Sequence, residues 1–245
     1  SIAKYLISNN LIVGGYDSTK TQITKNLEKS GVKINYKEDL KSVPSLFKKE
    51  DVIVIFTPAI PKQNKQLNFF KNQGNPIFKR AEILGFLTKN FETIAIAGTH
   101  GKTTTAAIAA HLFYKTKQSF TAFVGGVLNE FNSNVIINGS KYAIVEADEY
   151  DRSFLNLNPK IGLITSIDSD HLDIYGDFEE VKKSFNEFIR KITDKTLVSK
   201  DLGINGITYS LNENADYLAS NINFSKKGYF FDLKTPSNTY KSVFF

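Results

Sequence analysis

The sequence predicts an α/β protein built from two units, and three observations support this. Helical and strand patterns alternate over residues 1–88, which favours a parallel sheet with helices on its faces. The apolar run Thr93–Ala97 predicts a buried strand that breaks at a glycine loop and passes at once into a helical pattern. Residues 217–245 alternate in polarity, which predicts antiparallel β-structure at the edge of a second, mostly parallel sheet.

The first unit, residues 1–88, has the pattern of a Rossmann-like domain. Its predicted helices are Ile2–Ser8, Thr19–Ser30, Pro61–Asn72 and Arg80–Leu87, and its predicted strands are Leu11–Tyr16, Val52–Thr57 and Ile77–Phe78. Such a domain opens with a strand and a glycine-rich turn. This chain begins inside the first helix, so we expect that strand and that turn to be missing. Asp17 closes the second strand, where Rossmann-type domains direct an acid toward a ribose hydroxyl, although a turn cap explains it equally well.

The second unit, residues 89–245, starts within a predicted boundary region at Leu87–Glu92. Its remaining predicted strands are Thr121–Val124, Tyr142–Ala147, Ile161–Ile167, Leu197–Val198 and Ile207–Tyr209, with helices from Thr104 and over Phe178–Ile192. Turns are predicted at Lys226–Gly228 and Pro236–Asn238. Met is absent even at position 1, and the last residues are apolar, so we expect the chain to be a fragment.

Composition excludes several classes of function. The 245 residues are 41% hydrophobic and 23% charged, which is typical of a globular domain in water. The net charge is +6, but the lysines are scattered, so we expect no nucleic-acid surface. No apolar run approaches a membrane span, and the chain start lacks the layout of a signal peptide. Cys is absent, which suits a cytoplasmic protein and excludes thiol chemistry.

The segment from Gly98 to Thr103 predicts a phosphate-binding loop. A strand, two glycines, a Lys-Thr pair and a helix start follow one another directly. Backbone N–H groups and the positive end of the helix dipole attract an anion there. We expect Lys102 to be an exposed loop lysine that reaches the outer phosphates, and the Thr103 hydroxyl to bind Mg²⁺. Only two residues separate the glycines instead of four, so a plain glycine turn with a solvated lysine remains the alternative.

Two acidic clusters follow two other predicted strands. The first contains Glu146, Asp148, Glu149 and Asp151, and the second contains Asp168, Asp170, His171 and Asp173. The carboxyl ends of parallel strands meet at one edge of a sheet, where ligands bind, and carboxylates suit Mg²⁺. A water-exposed acidic turn and a hydrogen-bonded loop histidine are the plainer alternatives. A structural role is the expectation for His111, and the sequence contains no zinc-protease or serine-hydrolase motif.

Three motifs, in this order along the chain, resemble those of the Mur ligases, which join amino acids to cell-wall precursors. They are Gly-Thr-His-Gly-Lys-Thr-Thr-Thr over 98–105, Val-Glu-Ala-Asp-Glu-Tyr-Asp over 145–151 and Ile-Asp-Ser-Asp-His-Leu-Asp-Ile-Tyr-Gly over 167–176. The resemblance implies ATP binding by Gly98, Thr99, His100, Gly101, Lys102, Thr103 and Thr104, catalytic roles for Lys102, Glu146 and His171, metal binding by Thr103, Glu146 and His171, and substrate contacts from Asp17 and Asn134.

The histidine in the loop and the motif over 145–151 resemble both the alanine-adding branch and the recycling branch of that family, whereas the segment Asp170–Gly176 and the Arg152-Ser-Phe that follows the acidic cluster favour the alanine-adding branch. The implied activity joins L-alanine to UDP-N-acetylmuramate through an acyl phosphate, with ATP and Mg²⁺, in peptidoglycan precursor synthesis. Residues 1–88 would then bind the uridine nucleotide and residues 89–245 the ATP. The family's C-terminal domain is not matched, so we expect this fragment to be inactive alone. A murein tripeptide recycling ligase and a non-catalytic nucleotide-binding module remain alternatives; the number of metals and the oligomeric state stay open.

Overall fold

The computed structural model describes residues 1–49, 51–212, 214–226 and 228–244. The helices are α1 Ile2–Ser8, α2 Gln22–Lys29, α3 Lys65–Asn72, α4 Arg80–Thr88, α5 Lys102–Lys115, α6 Leu172–Tyr175 and α7 Phe178–Arg190. The strands are β1 Gly14–Tyr16, β2 Lys33–Asn35, β3 Val54–Phe56, β4 Ile77–Lys79, β5 Glu92–Ala97, β6 Phe120–Leu128, β7 Ser133–Asn138, β8 Tyr142–Glu146, β9 Ile161–Ile164, β10 Lys195–Ser199, β11 Ile207–Ser210, β12 Tyr217–Ser225, β13 Gly228–Lys234 and β14 Thr239–Phe244. The turn predicted at Lys226–Gly228 includes Lys227, which lies outside the described residues.

The first unit contains two short parallel pairs, β1 with β2 and β3 with β4. The predicted alternation of helices and parallel strands is confirmed, but each of these strands is only three residues long. Helix α2 begins at a capping box, in which the Thr21 and Thr24 side chains each bond the other's backbone N–H. It ends before Gly31, whose φ of +93° reverses the chain into β2.

The second unit is built on a ten-stranded sheet in the order β14-β13-β12-β11-β10-β9-β5-β8-β6-β7. The seven strands from β12 to β6 in that order are parallel, and the flanking β7, β13 and β14 are antiparallel. The predicted parallel sheet with an antiparallel edge is therefore confirmed. The prediction missed β7, which forms a hairpin with β6 and adds a second antiparallel edge.

Helices cover both faces of this sheet. On one face α5 places Ala106 and Ala110 against Ile96 of β5 and Ile144 of β8, all at most 1% exposed. The small alanines allow the helix to lie close to the strands. The opposite face packs against α7, which contributes Phe185 and other buried apolar residues. The buried strands thereby hold the loops at their carboxyl ends in fixed positions.

Contacts also join the first unit to the second. The Cβ of an alanine at position 85 would lie 2.2 Å from the backbone oxygen of Asn156, so α4 packs backbone to backbone against the segment Tyr150–Asn156. Lys79 Nζ lies 2.8 Å from Asp151 Oδ2 at the same contact. Helix α4 ends at Thr88, and the strand that leads into the large sheet begins four residues later. The domain boundary at Leu87–Glu92 stays a prediction.

Candidate phosphate-binding site at the carboxyl edge of the sheet

The predicted phosphate loop connects β5 to α5. Gly98 has a φ of +139° and Gly101 a φ of +82°, both in the region that favours glycine. A Cβ at Gly98 would come 2.0 Å from Thr165 Oγ1. The helix begins at Lys102, two residues earlier than the predicted Thr104, and Gly101 is its N-cap residue in the left-handed conformation. The first N–H groups of α5 therefore face the loop without helical acceptors.

Lys102 is not the exposed lysine that the sequence predicts. Its side chain is 14% exposed and turns back over the loop. Nζ donates to the carbonyl oxygens of Gly98 at 2.6 Å and Thr99 at 3.3 Å. It also lies 2.9 Å from Oε1 and 2.8 Å from Oε2 of Glu149, and the contact with Oε1 has hydrogen-bond geometry. Glu149 is 1% exposed, so Lys102 is the counter-ion of a buried carboxylate.

Thr103 and Glu146 meet at the start of α5. Thr103 Oγ1 donates to Glu146 Oε1 at 2.7 Å, and the Gly125 N–H donates to Glu146 Oε2 at 2.6 Å. A Cβ at Gly125 would stand 2.9 Å from the same carboxylate, so the glycine lets strand β6 approach it. The sequence predicts that β6 stops before Gly125; the strand instead continues to Leu128 with an irregular register.

His171 lies on the Glu149 side of the site. Its Nε2 is 3.8 Å from Glu149 Oε1, and its ring packs edge-on against Tyr150 at 5.2 Å between centroids. The backbone of His171 has a φ of +55°, which places it in the left-handed region at the start of α6. Glu146 and His171 thus both lie near the start of α5, and their metal-binding roles stay predictions.

The remaining loop residues bond to the turn that follows β9. Thr99 Oγ1 lies 3.0 Å from Ser166 Oγ, and the His100 N–H donates to that hydroxyl at 2.9 Å. His100 Nε2 is 3.4 Å from Asp168 Oδ2, and both side chains are exposed. Thr104 is exposed in the first turn of α5. These bonds hold the loop in shape from the β9 side.

The two predicted substrate residues lie on other elements. Asp17 Oδ1 accepts from the Thr19 N–H at 2.9 Å, as a turn cap does. Asn134 is half-buried on the edge strand β7. Within the described part of the chain, no hydrogen bond joins either residue to the loop. His111, for which a structural role is predicted, is half exposed, and its Nδ1 lies 2.6 Å from Glu130 Oε2.

The Thr103 hydroxyl and the Glu146 carboxylate form an oxygen pair of the kind that Mg²⁺ prefers. Across residues 1–49, 51–212, 214–226 and 228–244, no three His, Asp or Glu side chains are gathered closely enough to hold a metal ion by themselves. The pair therefore fits an ion whose other ligands are phosphate oxygens and water, as is usual where Mg²⁺ accompanies a nucleotide. Sequence reasoning missed Glu149 as a member of the site, although it named the acidic cluster around it.

Two family models match the chain. The model described as Mur ligase family, catalytic domain, matches residues 1–92, and the one described as Mur ligase middle domain matches residues 96–244. Curated relatives named UDP-N-acetylmuramate–L-alanine ligase include those of Christiangramia forsetii, 45% identical over 249 residues, and Flavobacterium johnsoniae, 41% identical over 247 residues. Each alignment covers 100% of this chain and 55% of the relative. The chain thus spans about half the length of these proteins.

Solved structures show the same fold. A UDP-N-acetylmuramate–alanine ligase from Thermotoga maritima superposes with a TM-score of 0.86 at 23% identity, covering 99% of this chain and 56% of that one. A UDP-N-acetylmuramate:L-alanyl-γ-D-glutamyl-meso-diaminopimelate ligase from Neisseria meningitides gives a TM-score of 0.82 at 19% identity, covering 97% and 81%. Among the described residues, no helix is both long and apolar enough to cross a membrane.

Proposed function

Because this chain belongs to the Mur ligase family, we propose that it is the nucleotide-binding part of an ATP-dependent ligase that joins L-alanine to UDP-N-acetylmuramate. The observation that carries the proposal is the loop from Gly98 to Thr103, which brings a lysine and a hydroxyl–carboxylate pair to one helix start. The 45% identity to a relative of that name supports the choice of substrates. We propose a cytoplasmic location on the same grounds.

Three side chains of the site have a part in this chemistry. The N–H groups at the start of α5 and the Lys102 ammonium bind the phosphates of ATP and neutralise charge as the outer phosphoryl group is transferred. Thr103 and Glu146 would hold Mg²⁺, which when bound neutralises phosphate oxygens. In the proposed first step the sugar-acid carboxylate attacks the γ-phosphorus of ATP, the bond between that phosphorus and ADP breaks, and an acyl phosphate and ADP result. The alanine amine then attacks the acyl carbon, the amide bond forms and phosphate leaves.

The alternatives to this activity are less well supported. The curated relatives at 41–45% identity carry the alanine-ligase name, whereas the recycling-type structures are about 20% identical and show the fold alone. The same names disfavour a purely binding module. We therefore keep the ligase as the one proposed function.

The test is a ligation assay with the full-length protein. ATP, Mg²⁺ and UDP-N-acetylmuramate are supplied with either one amino acid or a tripeptide at a time, and phosphate release is measured together with the mass of the product. We expect release and an adduct with L-alanine, and neither without the UDP-sugar. Release only with a tripeptide would favour the recycling activity. ATP binding without any phosphate release would contradict the ligase.

A further inference from the structure

We infer that Glu149 is a positioning residue: its buried carboxylate sets where the Lys102 ammonium stands over the phosphate loop. The inference rests on the proposed function, because it takes Lys102 to be the group that contacts the ATP phosphates. Glu149 itself touches no reacting atom in this scheme. It acts through Lys102, from which it is separated by 47 residues in sequence and 2.8 Å in space.

Burial keeps the Lys102 ammonium and the Glu149 carboxylate paired. Glu149 is 1% exposed, and a carboxylate taken out of water at that depth is strongly unfavourable without a cation beside it. His171 Nε2, at 3.8 Å, is beyond hydrogen-bond distance and does not replace the lysine. Lys102 therefore keeps its contact with Glu149 when a phosphate arrives.

The donors of Lys102 are fully used by acceptors of the protein itself. An ammonium has three N–H groups, and the structure gives them Glu149 and the carbonyl oxygens of Gly98 and Thr99. A phosphate oxygen must displace one of these acceptors. The Thr99 contact, at 3.3 Å, is the longest and the weakest, so it is the one exchanged. Glu149 and Gly98 then define the direction in which the remaining N–H points.

Glu149 is in turn held by Tyr175 of α6. The Tyr175 hydroxyl donates to the Glu149 carbonyl oxygen at 2.5 Å, and the tyrosine is 4% exposed. Burial raises the pKa of Tyr175, so the hydroxyl stays protonated and remains a donor. Asp151 and Arg152 follow with φ of +52° and +53°, and the Arg152 guanidinium lies 4.8 Å from the centre of the Tyr175 ring. Two successive non-glycine residues with positive φ are unfavourable, and they persist only where surrounding contacts fix the backbone.

The test compares Glu149→Gln with the wild type in the full-length enzyme. The glutamine keeps the shape of the side chain and removes the charge that fixes the ammonium. We expect kcat to fall by about ten- to a hundredfold, as for other misplacements of a catalytic group, with KM for ATP changed by less than about threefold. Tyr175→Phe should lower kcat in the same direction by a smaller factor. Glu130→Gln is the matched control, since Glu130 also pairs with side chains of α5 but at the exposed far end.

A double-variant cycle separates positioning from a merely structural role. If Glu149 acts through Lys102, then Glu149→Gln causes no further loss of kcat in a Lys102→Ala background, measured where circular dichroism shows both variants folded. The inference is overturned if the kcat losses of the two single variants multiply in the double variant. It is also overturned if kcat is unchanged in Glu149→Gln, or if that variant binds ATP more tightly. If Glu149→Gln does not fold, Tyr175→Phe with an unchanged kcat overturns it. A wild type that does not ligate defeats the proposed function itself, whereas a working wild type with insensitive variants defeats only the role of Glu149.

Discussion

Replacing Lys102 with alanine should destabilise the fold as well as remove activity. The change takes away the cation that lies 2.8 Å from Glu149, a residue that is 1% exposed. Breaking a buried ion pair by removing one partner costs about 3–5 kcal/mol, because the remaining charge is left in a poorly solvated position. That is a large part of the roughly 5–15 kcal/mol by which most domains are stable.

Urea unfolding of the 245-residue chain, followed by circular dichroism, measures this effect. We expect a clearly lower midpoint for Lys102→Ala at an unchanged slope, and partial recovery when Glu149→Gln is added, because the buried charge is then gone. Lys160→Ala is the control: its partner is Glu92 at 2.7 Å, but both side chains are more than 40% exposed, so no measurable change is expected. Equal midpoints for Lys102→Ala and the wild type, or no recovery in the double variant, would refute the reasoning.

Three further changes test other parts of the structure. Gly98→Ala should abolish ATP–Mg²⁺ binding in calorimetry, because its Cβ would stand 2.0 Å from Thr165 Oγ1; retained binding would contradict the loop geometry. Gly85→Ala should lower the unfolding temperature, because overpacking costs about 1–3 kcal/mol and the new Cβ would meet a backbone oxygen; an unchanged temperature would show that α4 is free to shift. The Lys241 ammonium is the main cause that lowers the pKa of Asp232 to about 2. This carboxylate therefore stabilises the fold at pH values above its unfolded pKa, and that stabilisation is lost as the pH falls toward 2. Lys241→Ala should raise the pKa of Asp232, which NMR of the carboxyl group measures.

The parts of the fold that depend on local patterns were predictable from the sequence. The strand Glu92–Ala97 is a continuous apolar run, and the glycines after it require backbone angles that other residues avoid, so both the strand and the loop could be placed. The mostly parallel sheet followed from the alternation of helices and strands. Strand β7 was missed because Gly125 and Gly126 resemble the end of a strand. The chain instead continues through them, since Gly125 N–H has an acceptor in Glu146.

The ion pair between Lys102 and Glu149 was harder to predict from the sequence. The sequence marks Lys102 as a phosphate ligand but contains no signal that Glu149 is buried beside it. That burial depends on Tyr175 and on the turn at Asp151, elements that come together only in the folded chain. An acid 47 positions away becomes a partner only through tertiary packing. The assignments of Asp17 and Asn134 to the substrate remain predictions.

The enclosed ammonium of Lys102 has a consequence for how this loop responds to its medium. A surface lysine must lose part of its hydration shell before it binds a phosphate, and dissolved cations compete with the lysine for that phosphate. Here oxygen atoms of the protein already accept from the Lys102 ammonium. Nucleotide capture then amounts to trading one oxygen acceptor for another. The affinity of such a loop for a nucleotide should depend on ionic strength far less than that of a contact formed in open solvent.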